Sequence, residues 1–68
     1  MSANPTAATA LEALWHVLVE TVEAANDTVI LAQQSPTVAT SDTLARYCGE
    51  IATLAHAAVV LARFAEPT

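Results

Sequence analysis

The apolar positions of this chain fall into two long helical rhythms on either side of a proline. From Leu44 onward, Leu44, Tyr47, Ile51, Leu54, Ala58, Leu61 and Ala65 recur three and four residues apart. This is the spacing of a helix that lays one narrow apolar seam along a partner helix. The first half repeats it with Leu11, Trp15, Leu18, Val22, Ala25, Val29 and Ala32, and Leu14, Thr21 and Thr28 lie beside them on the same face. No glycine or proline interrupts residues 6 to 34. The pattern predicts helix 1 over about 7–34, a connection over about 35–40 and helix 2 over about 41–66, following a flexible lead-in at 1–6.

Local chemistry sets the expected ends. Asn4 can cap helix 1 with Pro5 in its first turn, or Thr9 and Glu12 can form a capping box. Ser35-Pro36 ends that helix, because a residue before proline is pushed toward extended backbone. Thr40 or Ser41 is the expected N-cap of helix 2, with Asp42 in its first turn and Pro67 as its stop. So short a link makes the helices antiparallel neighbours, and residues 7–66 form one domain.

An additional stripe, Ala10, Val17, Ala24 and Leu31, widens the apolar arc of helix 1 beyond what one neighbour covers. Two hairpins packed together would cover it. The expected fold is therefore an all-α antiparallel helical hairpin that self-associates, as a dimeric four-helix bundle or, in a larger form, a tetramer. Leu11, Leu18, Val22, Leu44, Tyr47, Ile51, Leu54 and Leu61 are the expected self-association residues. Small residues such as Ala25 and Ala32 fall opposite large ones on helix 2, so large meets small across the seam.

Composition sharpens this picture. A chain of 68 residues has a marginal core unless a metal, a disulfide or another subunit helps. Cys48 is the only cysteine, which excludes an internal disulfide, and no Cys/His cluster suggests zinc. Hydrophobic residues make up 54% and charged residues only 13%, against about a quarter charged in an ordinary soluble domain. Self-association is the remaining support.

Seven acidic residues stand against Arg46 and Arg63, for a net charge of −5. That balance disfavours nucleic acid and anionic membrane surfaces. The run from Ile51 to Ala65 is broken by His56 and Arg63 and is shorter than the roughly 20 residues of a spanning helix. The first nine residues have neither the basic nor the apolar region of a secretory peptide, and a lone thiol suits a reducing compartment. A cytoplasmic protein with no membrane partner is expected.

Candidate chemistry is sparse. His16 and Glu20 share a helix face, and His56 falls roughly level with Glu20, so these three could hold a transition metal. Bundle metal sites, however, place a Glu-x-x-His pair inside the core, and that pair is absent. A metal- or small-ligand-binding bundle is therefore the alternative to the main reading. Cys48 is expected to be buried at the seam edge, and Gly49 belongs to a small-residue strip with Ala45, Ala52 and Thr53. No nucleophile–base pair, phosphate loop or cofactor fingerprint is present, so a non-enzymatic chain without a cofactor is expected. Val60 and Phe64 break the polar side of helix 2 and, with Trp15, would form a patch at the end holding both termini. Glu12, Glu20, Glu23 and Asp27 would steer a basic protein partner toward it, as in a small regulator or adaptor that binds or sequesters another protein.

Two helices, one short turn and the segment Leu61-Ala62-Arg63-Phe64 resemble the small RNA-binding helical hairpins of the Rop family. The resemblance implies the hairpin plan and a dimer. RNA binding in that family uses basic residues on the first helix, where this chain has no lysine or arginine, so that function is not carried over.

Overall fold

The computed structural model describes residues 5–66 as two helices, α1 (Pro5–Gln34) and α2 (Val38–Ala65), packed side by side as an antiparallel hairpin. Pro5 occupies the first position of α1, where its missing N–H leaves no intrahelical bond unmade. Thr9 is already inside the helix and donates its hydroxyl to the Pro5 carbonyl at 2.9 Å, so it is not the cap of a later start. The expected roles of Asn4 and Pro67, and of lead-in residues 1–4, lie outside the described residues. Glu66 leaves α2 with extended backbone, φ −71° and ψ 138°, as expected of a residue whose sequence neighbour is proline.

The connection is tighter than the sequence suggested. Ser35, Pro36 and Thr37 complete it, and α2 begins at Val38 rather than near Ser41. Thr37 is the N-cap: its side chain accepts from the Thr40 backbone N–H at 3.1 Å. The Thr37 N–H in turn donates to Thr40 Oγ1 at 3.0 Å. This is a reciprocal capping box in which threonine fills the place that glutamate or glutamine takes in the usual motif. Thr40 also donates to the Ser35 carbonyl at 2.8 Å, tying cap and link together. Asp42 therefore lies beyond the first turn, which holds no acidic residue.

The seam of α2 follows its rhythm: Leu44, Tyr47, Ile51, Leu54, Leu61 and Ala65 are half-buried and Ala58 is buried. In α1 the seam is rotated by roughly 50° from the expected one, at 3.6 residues per turn. Leu11, Leu18, Ala25 and Ala32 face the partner helix as expected, but Leu14, Thr21 and Thr28 complete the seam. Trp15, Val22 and Val29 stay outside it, at 51%, 49% and 39% exposure.

Threonine chemistry allows this. Thr21 and Thr28 donate their hydroxyls to the Val17 and Ala24 carbonyls, each at 2.8 Å. With the hydroxyl satisfied on its own helix, each side chain can turn its methyl group inward. Small residues at the seam suit a close approach of the two helices, and Trp15 lies outside it.

The resulting core is slight. Among the described residues Ala7, Leu18, Ala25 and Ala58 are the buried hydrophobic ones, and Thr28 joins them. The radius of gyration is 15.6 Å, against about 11 Å for a compact domain of this length. The hairpin is a rod, and most of its apolar surface lies outside the seam.

Candidate interaction surfaces

Each helix carries a second apolar stripe at seam spacing, and the two stripes meet on one side of the rod. On α1 the positions are Trp15, Val19, Val22, Asn26 and Val29, four and three apart; on α2 they are Ala45, Cys48, Ala52, Ala55 and Val59. All ten are exposed. Trp15, Leu18, Val19, Val22 and Ala55 line one groove between the helices, with Glu23 at its rim. Apart from Asn26 these stripe positions are apolar, and none is charged. Cys48 belongs here: its thiol is exposed, not buried as its place beside Ile51 suggested, because it flanks the seam and the single partner helix does not cover it.

The opposite side is mixed. Val17, Thr21, Arg46, Gly49, Glu50, Thr53 and Leu54 line its groove. Along α1 this flank alternates apolar with acidic residues, Val17, Glu20, Ala24, Asp27 and Leu31. Val60 and Phe64 continue the Arg46 and Thr53 edge at helical spacing and are 41% and 63% exposed. The structure thus keeps Val60 and Phe64 together but puts Trp15 in the other groove, so the three do not share a patch. Glu12, Glu20, Glu23 and Asp27 are all exposed, Glu23 at the rim of the first groove.

His16 and His56 are exposed on different helices. Among the described residues no group of three or more His, Cys, Asp and Glu side chains could hold a metal ion. His16, Glu20 and His56 therefore do not assemble into a site. Gly49 looks into open space, with nothing within 4 Å of an added Cβ. Neither groove holds a nucleophile beside a base.

No protein-family model, curated protein or solved structure matches this chain.

One property of α2 was underestimated from the sequence. Counted over its full length, which begins at Val38, it is long and apolar enough to cross a membrane. The run Ile51–Ala62 has no acidic or basic residue except His56. A helix this apolar needs more cover than one neighbour gives, from lipid or from protein. The second stripe of α1 lies beside it in the hairpin and suits protein cover.

Proposed function

We propose that this chain acts by association and not by catalysis. In this reading it is a small acidic helical protein that pairs with a second copy as a dimeric four-helix bundle and binds or sequesters a protein partner. The observation that carries the reading is the imbalance between core and surface. Among the described residues four hydrophobic side chains are buried, while Trp15, Val19, Val22, Ile30, Leu31, Phe64 and others stay open to solvent. Apolar surface on this scale marks an interaction site.

Charge supports the partner's chemistry. The surplus acid on α1, together with Glu50, favours a basic protein surface and raises its rate of encounter. Val60 and Phe64 supply the apolar anchor on the mixed side. The site of action proposed is the cytoplasm.

The test is solution mass by light scattering across a dilution series. The expected result is twice the 7.1 kDa of the chain down to low micromolar concentration. A monomer throughout overturns the pairing. For the partner, Phe64→Ala should weaken binding while helicity is retained. Equal loss of dimer and of partner binding would place Phe64 in the self-interface instead.

A further inference from the structure

The structure assigns the second copy to the face of the Trp15 and Ala55 groove: we infer that α1 of one chain lies over the alanine track of α2 of the other. This rests on the self-association proposed above and adds which surface pairs and how.

Shape is the first reason. The face has a ridge and a trough. Trp15, Val19, Val22 and Val29 stand up from α1, while Ala45, Cys48, Ala52 and Ala55 leave α2 low beside them. A two-fold axis parallel to the rods sets each ridge into the other chain's trough, large side chains against small ones. This is the self-complementarity that a symmetric interface requires. Asn26 is the one polar position in the ridge, of the kind that fixes register in helical seams.

Charge is the second reason. A two-fold interface brings like residues of both copies into one place. The mixed flank carries Glu20, Asp27 and Glu50 against Arg46. Pairing there would gather six carboxylates and two guanidinium groups from the two chains. On the other face Glu23 stands at the groove rim and Glu12 falls one turn before Trp15 at the same stripe spacing, so pairing there gathers four carboxylates, all at exposed positions.

The face carries its own reporters, the only tryptophan and the only cysteine of the chain. The first experiment follows Cys48 thiol reactivity toward a maleimide, and Trp15 emission, in the unmodified protein from nanomolar to high micromolar concentration. Light scattering on the same samples gives the mass. Expected is a Cys48 reaction that slows and a Trp15 emission that shifts to the blue as the dimer forms. The second experiment compares Val22→Glu with Leu31→Glu. The first should raise the dimer dissociation constant at least about a hundredfold, because two carboxylates become buried without partners. The second, on the opposite flank, should leave it within about threefold, as exposed substitutions do. A dimer whose Cys48 reacts at the monomer rate, or one that tolerates Val22→Glu, overturns the assignment and leaves self-association standing. A chain that stays monomeric overturns both. If Val22→Glu does not fold, the concentration dependence of Cys48 in the natural sequence decides alone.

Discussion

Replacing Thr37 by alanine tests where α2 begins. Thr37 is the acceptor for the Thr40 N–H at 3.1 Å and the residue whose own N–H meets Thr40 Oγ1 at 3.0 Å. Removing the hydroxyl leaves the Thr40 N–H to water and should cost about 1 kcal/mol, the usual loss for an N-cap threonine. For a domain of this size that is a fall of roughly 4–8 °C in Tm. Thr40→Ala should cost less. The Thr37 N–H retains a bond to the Ser35 carbonyl at 2.9 Å, and the exposed cap admits water. The two residues share one box, so the double variant should lose less than the two single variants added together. Thermal unfolding followed by far-UV circular dichroism, at one fixed protein concentration, gives all four values. If Thr37→Ala is silent while Thr40→Ala carries the loss, Thr40 is the N-cap and the reasoning fails.

Three further outcomes are expected. Gly49→Ala should raise stability by up to about 1 kcal/mol, because the added methyl meets nothing; a urea titration showing a decrease would mean that something packs closely on Gly49. Leu18→Ala removes the largest buried side chain and should cost about 2–5 kcal/mol, enough to abolish most of the helical signal; a loss below about 1 kcal/mol, the scale of a surface change, would show that the seam does not hold the hairpin. In flotation with neutral phospholipid vesicles the protein should remain in the aqueous fraction, and comigration with lipid would make α2 a membrane helix.

Much of the fold was legible because it follows from spacing. The α2 seam, with Ala58 innermost, needed only the heptad rhythm and the proline at the turn. The α1 seam was misjudged because two apolar stripes share its surface, separated by little more than half a right angle. Ranking by hydrophobicity favours Trp15, Val22 and Val29 over Leu14, Thr21 and Thr28. Packing ranks them otherwise, since a threonine whose hydroxyl bonds back four residues behaves as a small branched apolar residue. Thr9, Thr43 and Thr53 make the same bond, at 2.9 to 3.0 Å. The capping box was missed for a related reason, with threonine standing where glutamate is looked for.

The candidate surfaces were only half legible. Val60 and Phe64 were visible as apolar breaks in a polar face. The Trp15 face could not be seen until the rotation of α1 turned Trp15 outward to stand beside Ala55. A one-step change in which residues face the seam thus converts presumed core into presumed interface.

The slight core has a consequence for how the protein would be regulated. In the pairing inferred here, the second chain adds apolar cover that the slight core lacks, so folding and assembly are coupled. Dilution then acts as a denaturant. Below its dimer dissociation constant the chain spends much of its time open to proteases; above it, each new molecule protects another. The amount of active protein would rise more steeply than its rate of synthesis, giving a threshold without any ligand or modification.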